Sequence, residues 1–456
     1  MSRRGTLLSG GLTLCSHLGY PLAKAVRTLD ESERWSRERL AEHQRSALSA
    51  LIHHCYRHVP YYRDAMKARG LSPEDFSETG DLGKLPYLTR DIIREQGERL
   101  RADNYPDRLC QFRRSGGTTG EPIRVAADAR ARAFEVAAYL RGFGWMGYEL
   151  GCPMVRLFGG SLGLRTNPSL KVRLGEWLLN NRFLPAFELT YENVDDYVEA
   201  ISRADGGVLV GYASAVLALA EYMSRRGLRG SALRSVICTA EYMPLEWRAK
   251  ISDVLGAPVY CYYGCGEVNS LAYECSEEEG YLVSQEHVIL EVCGPTPEEF
   301  SDEGAGPACV TTLFNYAMPL LRYVNGDVIE LRRPEAGRAH QRITNVDGRV
   351  VDYLLRGDGQ KVSGSFVPHL VLRTGCPAWK YQVVQTGLDR IVFNYDLHGG
   401  TLAEDMRAKL VDIFRRHLGR ALEVQFVAGG FEIPKSGKHR FVINKVSQGQ
   451  GAPAAV

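Results

Sequence analysis

The chain has 456 residues, 45% hydrophobic and 24% charged, a balance that excludes a mostly disordered chain, a collagen-like repeat and a disulfide scaffold. At roughly 150 residues per domain the length suits three domains or two unequal ones. The 56 basic and 54 acidic residues leave a net charge of +2, which gives no global reason to expect nucleic acid or an acidic polymer as partner.

Eleven cysteines lie scattered without framework spacing and read as reduced thiols of a cytoplasmic enzyme. No window offers eighteen consecutive apolar residues, so no transmembrane helix is expected. Residues 1–29 carry Arg3, Arg4, Lys24 and Arg27 and no acid, with leucines at near-helical spacing. Two readings stay open there: a basic amphipathic helix in peripheral contact with a membrane surface, and a helix packed on its own protein, the commoner case. Residues 31–68 read as helical, with Leu40, Leu48, Leu51 and Ile52 on an apolar face. His54 and His58 are four apart, as metal ligands on a helix can be. Cys55 stands where a zincin needs Glu, so the cluster His53, His54, Cys55, His58 reads as packing.

From about 105 to 265 short apolar runs alternate with helical periods. Met154–Phe158, Gly207–Val210, Ser235–Thr239 and Val259–Tyr262 read as strands, Ala215–Arg226 and Leu245–Leu255 as helices. That alternation argues for α/β layers with a largely parallel sheet. From about 281 to 332 the short runs Tyr281–Val283, Val288–Val292, Cys309–Phe314 and Val328–Leu331 suggest a β-rich subdomain. Beyond Gly348 comes a small α+β unit: strands at Lys380–Gln385, Arg390–Asn394 and Leu422–Val427, and an amphipathic helix at Leu402–Leu418. The tail from Gln448 reads as disordered.

Five motifs could carry chemistry. Ser115-Gly116-Gly117-Thr118-Thr119-Gly120-Glu121-Pro122 combines glycines that let backbone N–H groups approach a ligand with hydroxyls that suit phosphate oxygens. It lacks the Gly-Lys-Ser/Thr of a Walker loop. In Tyr260-Cys261-Tyr262-Tyr263-Gly264-Cys265-Gly266-Glu267 an aromatic at a strand end can stack on a purine, and Glu267 can hold a divalent cation beside phosphates. In Arg322-Tyr323-Val324-Asn325-Gly326-Asp327 an Asp after a glycine turn suits ribose hydroxyls; the bland reading is a turn opening the strand at Val328. Gly348-Arg349-Val350-Val351-Asp352 reads, from its residues alone, as a domain linker. Pro434-Lys435-Ser436-Gly437-Lys438-His439-Arg440 presents lysine at a loop tip. Gly159-Gly160-Ser161-Leu162-Gly163 fits a nucleophile elbow, but the Arg165-Thr166-Asn167-Pro168 that follows argues against the helix an elbow must enter.

In order and spacing the set resembles the adenylate-forming (ANL) superfamily over roughly residues 40–446. The nearest likeness is to the phenylacetate–CoA ligase group and to adenylate-forming proteins of capsular-polysaccharide clusters. His58-Val59-Pro60-Tyr61-Tyr62, Leu85-Pro86-Tyr87-Leu88-Thr89 and Gly211-Tyr212-Ala213-Ser214-Ala215 carry the narrower resemblance. It implies a large N-terminal adenylation domain (1–348, with a helical lead-in to about 100) and a small mobile C-terminal domain (349–456). By the same resemblance Ser115–Gly120 match the phosphate loop; Ala240, Glu241 and Tyr242 the adenine segment; Tyr263 and Gly264 the aromatic motif; Glu267 the magnesium ligand; and Asp327 the ribose ligand. Arg349 matches the hinge Arg, Asp352 the hinge position and Lys438 the catalytic lysine. An acid pocket would draw on Trp145, Phe158, Gly159, Gly160, Tyr212 and Ser214.

The implied chemistry uses ATP and Mg²⁺ to adenylate an aryl or acyl carboxylic acid, then coenzyme A as acceptor. A carrier protein, an amine or a sugar hydroxyl is the alternative acceptor, and a homodimer is compatible with the pattern. The sequence departs from the family at Gly266, where Thr is usual, and at Val324-Asn325 in place of Arg-Thr. These departures keep open a nucleotide-binding protein without catalysis. Pro334-Glu335-Ala336-Gly337-Arg338 lacks the cysteines that some relatives use for structural zinc, despite Cys275 and His287.

Overall fold

The computed structural model describes residues 21–106, 109–114, 123–158, 170–186, 189, 193–230, 232–275, 278–294, 296, 298–335, 337–349, 353–363, 367, 371, 374–378, 380–397, 400–419, 421–432 and 440–446. In chain order its elements are α1 (Leu22–Ser32), α2 (Arg37–His58), α3 (Pro60–Ala68), α4 (Arg90–Gln96), β1 (Gln111–Arg114), β2 (Arg124–Ala127), α5 (Ala129–Trp145), β3 (Met154–Phe158), α6 (Leu170–Leu178), β4 (Asn181–Pro185), α7 (Val194–Ser202), β5 (Val208–Tyr212), α8 (Ala213–Arg225), β6 (Ser235–Thr239), α9 (Leu245–Leu255) and β7 (Val259–Tyr263). There follow β8 (Ala272–Cys275), β9 (Glu278–Val283), β10 (Val288–Cys293), β11 (Phe300–Ser301), β12 (Gly304–Thr312), β13 (Tyr323–Arg332), β14 (Arg342–Arg349), β15 (Tyr353–Leu355), β16 (Lys361–Ser363), β17 (Lys380–Gly387), β18 (Arg390–Asp396), α10 (Glu404–Leu418), β19 (Glu423–Ala428) and β20 (Val442–Asn444).

The chain divides into two units, one of residues up to Cys152 with Tyr260–Val346, the other of Pro153–Val259 with Asp347 onward. In the first, strands run in the order β11-β10-β12-β13-β14-β9-β8-β7. The pairings of β10 with β12 and of β12 with β13 are antiparallel, as the β-rich reading expects. Helix α1 packs on α5 and buries Ala25 and Leu29, which is the self-packing reading for that part of residues 1–29. Gly142 of α5 lets the helix sit on β8, because a Cβ there would lie 2.2 Å from the Tyr273 ring.

The second unit begins with four parallel strands in the order β6-β5-β3-β4. The runs Val208–Tyr212 and Ser235–Thr239 are buried at every position, as a parallel sheet covered on both faces requires. Its later part is an α+β layer ordered β19-β18-β17-β20. There α10 sets Leu410, Phe414 and Leu418 against Phe393, Ile391 and Val442. Among the described residues no helix is long and apolar enough to cross a membrane.

Two expectations are adjusted by the structure. The helical stretch over 31–68 forms, but it is not continuous and is broken twice. Helix α1 runs on to Ser32, and Ser36 starts α2 by accepting from the Arg39 N–H at 3.3 Å, a normal N-cap. Pro60 then stands at the first turn of α3, where its missing N–H costs nothing. Nor does the segment before Val328 form a turn: β13 begins at Tyr323 and carries Asn325–Asp327 inside it. Residues 1–20 and the tail from Gln448 lie outside the described residues.

At the head of β13 sits Arg322, fully buried with φ +52°. Its Nε donates to Glu291 Oε1 at 2.6 Å, Nη1 to the Leu85 carbonyl at 2.8 Å and Nη2 to the Glu299 carbonyl at 2.8 Å. The guanidinium lies 4.3 Å from the Tyr87 ring centroid. Burial pushes the Glu291 carboxyl up, and Arg322 opposes that shift. Removing one partner of a buried pair leaves an uncompensated charge. Arg322→Ala should therefore cost about 3–5 kcal/mol of stability, read as a lowered calorimetric transition; an unchanged transition would contradict this role.

Candidate active site

The first unit gathers three candidate residues around β13. Pairing of β12 with β13 jumps from Pro307↔Val328 to Cys309↔Val324, so Ala308 alone faces Asn325–Asp327. This is a β-bulge, and Gly326 at φ +87° takes the left-handed conformation it needs. The bulge turns both flanking side chains onto the Tyr263 hydroxyl. Asn325 Nδ2 donates to it at 2.7 Å, and the hydroxyl donates to Asp327 Oδ2 at 3.0 Å. Asn325 Oδ1 accepts the Asp327 N–H at 3.0 Å. Burial, with Asp327 beside it, pushes the Tyr263 phenol well above its ordinary value, so it stays a donor.

Gly264 opens the loop after β7, closed by a bond from the Cys265 N–H to the Val268 carbonyl at 3.0 Å. Glu267 on that loop is buried. Its Oε1 accepts from Tyr323 Oη at 2.9 Å and lies 3.3 Å from Arg90 Nη2. Among the described residues Oε2 has no hydrogen-bond partner. One free carboxylate oxygen fits Mg²⁺, which binds through one or two carboxylates and keeps waters and phosphates for the rest. Among the described residues no group of three His, Cys, Asp or Glu is placed to hold a metal alone.

The phosphate loop, Ser115–Gly120, lies outside the described residues. Its roots are β1 and β2, paired antiparallel up to Arg114↔Arg124. Arg113 Nη1 donates to Glu135 Oε1 at 2.7 Å. The Asn269 N–H reaches the same oxygen at 3.4 Å, and Ser270 Oγ donates to the Glu135 carbonyl at 2.9 Å. Glu135 thus ties β1 to the loop after β7. Sequence reasoning missed Glu135 and Arg90: each reads locally as an ordinary charge on an amphipathic helix, and its partner is far along the chain.

In the second unit, β6 ends at Thr239 and Ala240 follows at φ +68°. A non-glycine residue in that region is strained, a feature that recurs at functional sites. Glu241 Oε2 accepts the Ser214 N–H at 2.8 Å, at the start of α8, where Tyr212 gives no side-chain cap. The carboxylate fills an orphan position at a helix N-terminus. Tyr242 is 37% exposed. Tyr212 and Phe158 are buried and meet edge to face, centroids 5.1 Å apart. Phe158, Tyr212, Ser214 and Glu241 therefore lie together; Gly159 and Gly160 are outside the described residues.

Trp145 belongs to the first unit. Its Nε1 donates to Glu33 at 3.0 Å, and it borders a cavity with Trp35, Arg141, Cys275 and His340. Arg349 is the last residue of β14, its side chain not described; Asp352 and Lys438 are outside the described residues. The histidines of α2 have separate partners. His54 Nε2 bonds the Tyr316 carbonyl at 2.8 Å and His58 Nδ1 bonds Asp103 at 2.8 Å. His287 Nε2 bonds the Ser270 carbonyl at 3.0 Å.

The chain matches no protein-family model. It is 28% identical over 344 residues to phenylacetate–coenzyme A ligase of Aromatoleum evansii, covering 72% of this chain and 74% of that protein. It is 22% identical over 419 residues to protein CapK of Staphylococcus aureus, covering 89% and 90%. Among solved structures, a 2-hydroxyisobutyryl-CoA ligase in the postadenylation state, bound to R3-HIB-AMP, matches with a TM-score of 0.72 over 92% of each chain at 18% identity. At that identity the likeness speaks to the fold.

The Glu241 contact can be tested without any substrate. Glu241→Ala should lower stability by about 1 kcal/mol through the lost cap, while Glu241→Gln, which keeps an acceptor, should retain most of it. Equal loss in both variants, measured by thermal unfolding, would mean the carboxylate's charge rather than its cap matters.

Proposed function

We propose that this chain is an AMP-forming ligase of the adenylate-forming (ANL) kind, which activates an aryl or acyl carboxylic acid as its adenylate and passes the acyl group to coenzyme A. The observation that carries the reading is the bulge of β13. It sets Asp327 on the Tyr263 hydroxyl while Tyr323, on the same strand, holds Glu267. A residue suited to ribose and one suited to a cation would thereby be held through one rigid element, which is how positioned sites are best built.

In the first half-reaction a carboxylate oxygen attacks the α-phosphorus of ATP. The bond from the α-phosphorus to the bridging oxygen breaks, and pyrophosphate leaves. Two anions must meet, so catalysis is chiefly positioning and charge stabilisation. Asp327 would accept ribose hydroxyls, and Ser115–Gly120 would hold the phosphates with backbone N–H groups. Lys438 would bridge carboxylate and α-phosphate as a point charge. Glu267 would hold Mg²⁺, whose positive charge would stabilise the departing pyrophosphate. The adenylate reacts with water, so the site must be closed while it exists; a turn of the C-terminal part near Arg349–Asp352 would then admit the acceptor. The thiol sulfur attacks the acyl carbon, AMP leaves and the thiol proton is released.

A second acceptor has a specific support. The likeness to CapK spans nearly all of both chains, and the sequence resembles adenylate-forming proteins of capsular-polysaccharide clusters. A carrier-protein thiol, an amine or a sugar hydroxyl would then replace coenzyme A.

ATP–pyrophosphate exchange across aryl, fatty and hydroxy acids tests the reading, with coenzyme A added next to identify the acceptor. Exchange with at least one acid is expected. Lys438→Ala should abolish exchange yet still convert supplied acyl-adenylate and coenzyme A to thioester; equal loss of both half-reactions would refute this role. Asp327→Ala should weaken ATP binding about tenfold, some 1.4 kcal/mol, and unchanged affinity by calorimetric titration would remove Asp327 from the nucleotide site.

A further inference from the structure

Arg90 has no part in the reaction just described, yet it is built into the cation site. Leu88 forms a parallel bridge with Tyr323: its N–H donates to the Arg322 carbonyl at 2.9 Å and its carbonyl accepts the Val324 N–H at 2.9 Å. One residue on, Thr89 Oγ1 accepts the Ile92 N–H at 3.3 Å and caps α4. These two constraints fix the backbone on either side of Arg90 and direct its side chain over the head of β13. There Nε donates to Tyr323 Oη at 3.2 Å, and Nη2 stands 3.3 Å from Glu267 Oε1. Tyr323 Oη in turn donates to that same Oε1 at 2.9 Å.

The result is a closed triangle on one oxygen. Arginine–carboxylate pairs are frequently bidentate forks. This pair is made through a single oxygen, and the Glu267 side chain is 1% exposed against 19% for Arg90. Oε1 is held twice and Oε2 is left free among the described residues. A metal-binding carboxylate is commonly oriented in this way by hydrogen bonds to the oxygen the metal does not use.

We propose that Arg90 is a positioning residue for the cation site: with Tyr323 it locks Glu267 Oε1 so that Oε2 is presented to the divalent cation that accompanies ATP. This rests on the function proposed above and adds a residue to it. Outer-shell partners of metal ligands typically contribute about 10–100-fold to metal affinity. Lysine at position 90 can reach Oε1 or Tyr323 but not both, so it should restore only part of the effect.

The test uses the full-length protein with Mn²⁺ as a spectroscopic probe. Mn²⁺ affinity for the protein–ATP complex is read by electron paramagnetic resonance, and metal-free ATP binding is read by thermal shift in a chelator. Arg90→Met should weaken Mn²⁺ about tenfold or more, with the metal-free ATP shift retained. Arg90→Lys and Tyr323→Phe should fall between Arg90→Met and the wild type. The Mg²⁺ half-saturation of pyrophosphate exchange should follow the same order. Unchanged Mn²⁺ affinity in Arg90→Met, with only a lowered melting temperature, would overturn the proposal. If Arg90→Met does not fold, wild-type Mn²⁺ affinity in both remaining variants overturns it equally. A wild-type protein that binds Mn²⁺ with ATP while the variants match it refutes the role of Arg90 alone. A wild type that binds no ATP refutes the proposed function, and this role with it.

Discussion

A fully buried guanidinium at Arg322 is the constraint on which the rest of the first unit depends. Leaving water is costly for a charge, and only good geometry with further hydrogen bonds offsets that cost. Arg322 meets the condition with Glu291 on β10, the Leu85 carbonyl, and the Glu299 carbonyl before β11. Its own backbone N–H donates to Thr311 Oγ1 on β12 at 2.9 Å. Three strands and the segment before α4 are therefore tied to one residue. The left-handed backbone at Arg322 is what lets the side chain turn into this nest while β13 leaves it extended.

From that fixed head the candidate site follows in register. Tyr323 reaches Glu267, Asn325 and Asp327 reach Tyr263, and the bulge supplies the extra residues that aim the last two at one hydroxyl. Arg322 also accepts the Leu88 N–H, so the same residue that is buried for stability delivers Arg90 to Glu267. Stability and positioning are not separate tasks here. A shift of β13 by one residue would reverse which face each side chain occupies and would break all four contacts.

Much of the architecture was legible in the chain because local pattern and tertiary role agree. Ser235–Thr239 and Leu245–Leu255 fall where the apolar runs and helical periods place them, since a strand buried on both faces must be apolar throughout. The helical stretch over 31–68 is divided into separate helices because Ser36 and Pro60 are punctuation that periodicity alone does not weigh. The turn before Val328 failed for a different reason. Asn-Gly-Asp has turn chemistry, but a bulge uses the same residues, and only the partner strand decides between them. Candidate site residues were visible where a short motif carries them. Glu135 and Arg90 were not, because their significance lies in partners brought close by folding: Arg113 and Asn269 for one, Tyr323 and Glu267 for the other.

The departures from the family pattern bear on whether the site is kept or lost. Asn325 replaces a usual Thr, yet its amide is used at both ends: Nδ2 donates to Tyr263 and Oδ1 accepts from the Asp327 backbone. A Thr hydroxyl would have to make both contacts through one oxygen, whereas the amide makes them through two atoms. Gly266 removes a hydroxyl beside Glu267, but the carboxylate is still oriented, by Tyr323 and Arg90 rather than by its chain neighbour. The surroundings of both altered positions are thus held by hydrogen bonds to residues elsewhere in the fold.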